Sequence, residues 1–165
     1  MSRPTGQQVD PAVDPSVPAR RRQRALEPAI LVAVAAGGIL GAEARYALSR
    51  WFPPEHGAWP ASTWWINVGG SLALGALMVV LTELTSPHRL LRPLLGVGVL
   101  GGFTTFSTAM VEARGLLSDG TPALALTYLV GTPAAALVAV ILGSVGMRVV
   151  AAGWKRARRR RRSAR

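Results

Sequence analysis

Hydrophobic residues along this chain fall into four long blocks, at about residues 28–48, 57–82, 93–111 and 120–147. A helix needs about 20 predominantly apolar residues to cross the hydrocarbon core of a bilayer, and each block is close to or above that length. The last block has room for a tilted span or an extra turn outside the membrane. The pattern predicts an all-α membrane protein with four transmembrane helices. Short polar linkers, "WFPPEHGAWPAS", "ELTSPHRLLR" and "EARGLLSDGTP", join them. Linkers this short make successive helices antiparallel neighbours.

Residues 1–27 are rich in Pro, Gln, Ser and Arg without an apolar period, and read as a disordered basic arm. Residues 28–150 form the compact unit, and residues 151–165 a basic tail ending in "WKRARRRRRSAR". The first block follows "RRRQR", as a signal peptide's apolar region would. Its length, its Glu43 and Arg45, and the three blocks after it mark it instead as a retained helix.

The chain has 165 residues, half of them hydrophobic, a net charge of +11 and a mean hydropathy of +0.30. Charge and apolar residues are segregated, which excludes a soluble basic domain. With four spans, both termini share one side with the second linker, and that side carries nearly all the Lys and Arg. The other side has only Arg50 and Arg114. The positive-inside bias puts both termini in the cytoplasm of a multi-pass plasma-membrane protein. Trp51, Trp59, Trp64, Trp65 and Trp154 lie near span ends, where they are expected to anchor at the headgroups. There is no cysteine, and His56 and His88 sit in loops beside prolines, the setting of solvated side chains.

Polar residues inside the blocks carry the candidate chemistry. Gly37, Gly41 and Arg45 recur every four residues, so they share a helix face on which small residues admit a second backbone. Arg45 has two readings: a side chain snorkelling to the interface, or one with a buried partner. Thr63, Asn67 and Ser71 form a stripe with Gly70 beside it, either joining helices or lining a wet path. Tyr128 and Thr132 share a face of the fourth block, and Pro133 removes a backbone donor there.

The third block holds "GGFTTFST" at Gly101–Thr108, the least helical and most polar stretch at membrane depth. Irregular backbone is tolerated there only inside protein or along a cavity. A break would release main-chain carbonyls, which are hard oxygen ligands for a cation such as sodium. Ser107 and Thr108 offer hydroxyl donors, and Phe106 the positive edge of its ring. On these residues alone, tight packing and ion handling stay equally open.

Three segments, "GGILGAEARY", "TWWINVGGSLALG" and "GVGVLGGFTTFSTAMVE", together resemble the Fluc (CrcB) family of bacterial fluoride channels. The likeness covers the four-span core and neither tail. It implies a third helix broken at its centre and an antiparallel dimer with two fluoride pores. It implies a structural, non-transported sodium ion on the backbone carbonyls of Gly101 and Thr104. It places Asn67, Phe106, Ser107, Thr108, Tyr128 and Thr132 on the fluoride pathway, with Arg45 and Glu112 in structural roles. The implied activity is passive export of fluoride. One departure stands out: the family usually reads "FSTF", whereas Ala109 here replaces the second phenylalanine.

The one-sided charge suits a chain that inserts in a single orientation. A heterodimer with an oppositely oriented paralogue is therefore expected, the antiparallel homodimer being the alternative. The arginine tail is expected to meet anionic lipids, and no nucleic acid. The blocks contain no paired carboxylates, activated nucleophile or metal-ligand cluster, so an enzyme is not expected. The rival reading is a proton-coupled small multidrug exporter, whose first-helix carboxylate would have to be Glu43.

Overall fold

The computed structural model describes residues 18–53, 55 and 57–163. The described chain is helical, in the order α1 (Pro18–Trp51), α2 (Ala61–Val79), α3 (Gly101–Phe103), α4 (Ser107–Ser118) and α5 (Pro122–Ser163). Wider π-helical turns prolong α2 over Val80–Leu84 and lead into α3 over Arg92–Leu100. Four stretches are long and apolar enough to cross a membrane: Glu27–Trp51, Ala61–Leu84, Arg92–Ser118 and Pro122–Trp154. They coincide with the four blocks of the hydrophobic pattern, and the protein is an all-α, multi-pass membrane protein.

At most 28% of the most apolar window of any span is buried within the chain. Leu31, Ile39, Val97, Phe106, Val111 and Val130 are all well exposed. Apolar exposure on this scale needs lipid or another subunit against it.

Close backbone contact holds the helices together. α1 crosses the first half of the third span at Gly37 and Gly41. A methyl group on Gly98 would stand 2.9 Å from the Gly37 Cα, and one on Gly102 2.5 Å from the Gly38 carbonyl oxygen. α2 and α5 cross at Gly75 and Gly143, where added methyls would strike the carbonyls of Val140 and Leu72. Small residues at these spacings let dispersion and interhelical hydrogen bonds act where lipid supplies no hydrophobic drive. Ser144 supports the second crossing, its hydroxyl lying 3.3 Å from the Gly75 carbonyl it donates to.

Two boundaries differ from the sequence reading. α1 begins at Pro18, inside the arm expected to lack structure; residues 1–17 of that arm lie outside the described residues. α5 continues to Ser163, so much of the basic tail prolongs the fourth helix, and α5 passes through Pro133 as one element. Trp59 and Trp64 are only partly exposed. They stack edge to face, and Trp59 meets Tyr128 at a centroid distance of 5.2 Å. Aromatic pairing thus ties these two rings to the core, while Trp51, Trp65 and Trp154 stay exposed.

Candidate functional site

The site is built around the interruption of the third span. Helical geometry ends at Phe103. Thr104 is extended (φ −79°, ψ 154°), and helix resumes at Ser107. An interruption orphans amides and carbonyls, and each must find a partner at membrane depth.

Asn67 meets two of these groups. Its Oδ1 accepts the Thr105 amide at 2.8 Å and its Nδ2 donates to the Thr105 carbonyl at 2.9 Å. Asn67 is 8% exposed on the buried face of α2, which also carries Thr63 and Gly70. From α1, Arg45 Nε donates to the Gly102 carbonyl at 3.2 Å. Of the two readings of Arg45, the structure has the one with a protein partner. The Thr105 hydroxyl oxygen accepts the Thr108 amide at 3.2 Å, satisfying one orphan donor at the start of α4. It also lies 3.0 Å from Thr108 Oγ1 and 3.3 Å from Ser107 Oγ.

These substitutions release two carbonyls in particular. In an unbroken helix the Thr105 amide would bond the Gly101 carbonyl and the Thr108 amide the Thr104 carbonyl. Both amides are engaged elsewhere, so the Gly101 and Thr104 oxygens lose their helical donors. These are hard oxygen donors of the kind a sodium ion takes, and in donor chemistry they fit one. Among the described residues, no group of three or more His, Cys, Asp or Glu side chains is placed to hold a metal.

Gly101 and Thr104 open onto a groove of about 390 Å³. Asn67, Thr105, Phe106, Tyr128 and Thr132 also line it, and Ala109 forms part of its floor. Among the described residues the Thr132 hydroxyl is buried and makes no close hydrogen bond, and it borders this groove beside the Tyr128 hydroxyl. Phe106 is 69% exposed, whereas Ala109, at 2%, is packed into the α4–α5 core with Ala113, Leu116, Ala125 and Tyr128. Ser107, which is exposed, and Thr108 do not line this groove and touch it only through the Thr105 hydroxyl.

Glu112 and Tyr128 form a second layer. The Glu112 carboxylate accepts the Thr63 hydroxyl at 2.7 Å on one oxygen and the Tyr128 hydroxyl at 2.6 Å on the other. The fully buried Tyr128 ring is thereby fixed beside the groove. Glu43, the carboxylate of the exporter reading, is exposed and does not line the groove. Glu83, at the end of the second span, pairs with Arg148 at 2.7 Å.

The sequence reading missed Thr105, which contributes both backbone groups and a hydroxyl. Its signal was the spacing of Thr105 and Thr108, which places a hydroxyl three residues ahead of a helical amide. It also missed Thr63 as the partner of Glu112, although Thr63 stood on the noted stripe.

The family model for CrcB-like protein, Camphor Resistance (CrcB), matches residues 32–144, which include every site residue named above. The chain is 54% identical over 119 residues to "Fluoride-specific ion channel FluC 2" of Nocardia farcinica, covering 72% of this chain and 85% of that one. It is 47% identical over 135 residues to "Fluoride-specific ion channel FluC 1" of Streptomyces coelicolor, covering 82% and 87%. It is 46% identical over 124 residues to "Fluoride-specific ion channel FluC 2" of Streptomyces avermitilis, covering 74% and 78%. Matched along its four spans and across the interrupted helix, the chain belongs to the CrcB family.

Proposed function

We propose that this protein is a fluoride-specific ion channel that lets fluoride leave the cell passively. The observation that carries the reading is the groove at the interrupted helix, where hydroxyl, amide and ring-edge donors meet at membrane depth. The names of the relatives support the choice of anion.

Fluoride is small and strongly hydrated, so a pore must replace its water with closely placed donors. The buried Thr132 hydroxyl and the Phe106 ring edge suit that task. Asn67 lines the same groove, and the Ser107–Thr108 hydroxyls reach it through Thr105. Fluoride enters cells as neutral HF and dissociates in a near-neutral cytoplasm. An inside-negative potential then drives the anion out.

Gly101 and Thr104 would hold a structural sodium ion through their carbonyl oxygens, and the ion would supply fixed positive charge at the break. Arg45 directs the Gly102 carbonyl elsewhere, and Asn67 does the same for the Thr105 carbonyl.

The channel works as a dimer of oppositely inserted subunits, with both termini of this chain in the cytoplasm and its tail at anionic lipid. The partner is a paralogue. The charge bias fixes one orientation for this chain, and the numbers in the relatives' names point to more than one such chain per organism. Such a partner supplies the aromatic edge that Ala109 lacks.

The test is growth and cell fluoride content in a strain stripped of its own fluoride exporters, at mildly acidic pH. Expression with the paralogue should restore growth and lower cell fluoride. Accumulation as high as in the empty strain refutes the channel reading. Full rescue by this chain alone refutes the heterodimer.

A further inference from the structure

The proposed function treats Asn67 as a groove residue, but its geometry points to a different task. We propose that Asn67 is the positioning residue that keeps the third span broken, by capturing the backbone of Thr105. This deepens the channel reading and rests on it for its functional consequence.

An interrupted helix is an unstable arrangement unless something outbids its own ladder. The Thr105 amide has a natural acceptor, the Gly101 carbonyl, one turn earlier. It donates instead to Asn67 Oδ1 at 2.8 Å. A single acceptor would leave the Thr105 carbonyl exposed to the membrane interior. The same side-chain amide closes that gap, with Nδ2 donating at 2.9 Å. A carboxamide is the one side-chain group that reproduces the donor–acceptor pair of a peptide unit. Asn67 thus pairs with residue 105 as a neighbouring strand would. Gln carries the same group one methylene too far out for this helix spacing.

Neighbouring contacts favour the arrangement. Gly70, one turn along α2, leaves room for the bend: a methyl there would stand 2.6 Å from Thr104 Cγ2 and 3.0 Å from the Phe103 ring. Arg45 holds the Gly102 carbonyl, so that oxygen cannot compete with Gly101 and Thr104 for a cation. Asn67 therefore acts on the cation through Thr105 and Gly101, and its main contribution is to shape the site.

Two variants of the full-length channel test this, Asn67→Leu and Asn67→Asp. Leu keeps the volume and loses both hydrogen bonds; Asp keeps the acceptor for the Thr105 amide. The first readout is the Thr105 amide resonance by NMR in detergent micelles. The second is the sodium concentration for half-maximal fluoride flux in vesicles.

In Asn67→Leu the Thr105 resonance should move to a helical position. Half-saturation should rise about 10- to 30-fold, the factor two net hydrogen bonds supply. In Asn67→Asp the resonance should stay near its original position, because the acceptor for the Thr105 amide is retained. An Asn67→Leu channel with unchanged Thr105 resonance and unchanged sodium dependence overturns the proposal. If that variant does not fold, a helical Thr105 resonance in Asn67→Asp does so. If flux through the unmodified channel ignores sodium, the cation reading falls, and the resonance alone decides the role of Asn67.

Discussion

The Thr63–Glu112–Tyr128 bridge links α2, α4 and α5 behind the groove, and its strength can be measured by a double-mutant cycle. Glu112→Ala removes both hydrogen bonds and leaves two hydroxyls orphaned, on side chains 1% and 0% exposed. Hydrogen bonds to a charged acceptor contribute about 1.5–3 kcal/mol in soluble proteins, and interhelical ones in membranes average about 0.6. The short donor–acceptor distance of 2.6 Å places the Tyr128 bond above the membrane mean. A coupling energy of about 1–2 kcal/mol between positions 112 and 128 is therefore expected. Tyr128→Phe should destabilise the channel by itself. In the Glu112→Ala background the same change should be neutral or stabilising, since it removes a buried unsatisfied hydroxyl. The assay is reversible unfolding of the purified channel in mixed micelles of rising denaturing-detergent fraction. Additive effects, with coupling below about 0.5 kcal/mol, would refute the bridge as a structural unit.

Other outcomes follow from the same geometry. Gly143→Val forces a side chain against the Leu72 carbonyl and within reach of the Ala76 amide. It should lower stability by about 1–3 kcal/mol, or abolish accumulation, as thermal melting in detergent would show. Glu43→Gln alters an exposed residue away from the groove, so fluoride flux in vesicles should be unchanged; loss of flux would return weight to the proton-coupled exporter. Ala109→Phe forces a ring into the packed cluster of Ala113, Leu116, Ala125 and Tyr128, so it should lower stability by about 1–3 kcal/mol in the same melting assay. An unchanged melting temperature would refute the close packing of α4 on α5. Deleting residues 155–165 should weaken the one-way insertion bias, which terminal reporter fusions would register as a mixed orientation.

Much of this molecule was legible in the sequence because its strongest signals are local. Four long apolar blocks allow little but four spans, and the Gly37–Gly41 spacing marks the face that meets the third span. The Thr63–Asn67 stripe was likewise visible, as a line of polar groups unsuited to lipid. What it bonds was not, because its partners Glu112 and Thr105 lie 49 and 38 residues away and tertiary packing alone brings them close. The same holds for Trp59. Its place near a span end suited a headgroup anchor, but the Tyr128 ring offered it a partner across the bundle. The start of α1 within the polar arm was hidden for another reason. That segment has no apolar face, and only continuity with the span behind it prolongs the helix.

The central claim is that the groove beside the released Gly101 and Thr104 carbonyls passes fluoride and excludes larger halides. Ion-selective electrodes can follow anion release, with sodium present, from potassium-loaded vesicles containing this chain with the proposed paralogue, after valinomycin is added. Rapid fluoride release with chloride retained, lost when Thr132 and Phe106 are replaced together by Ile, is the expected result. Fluoride held as tightly as in protein-free vesicles, or released along with chloride, would contradict the account.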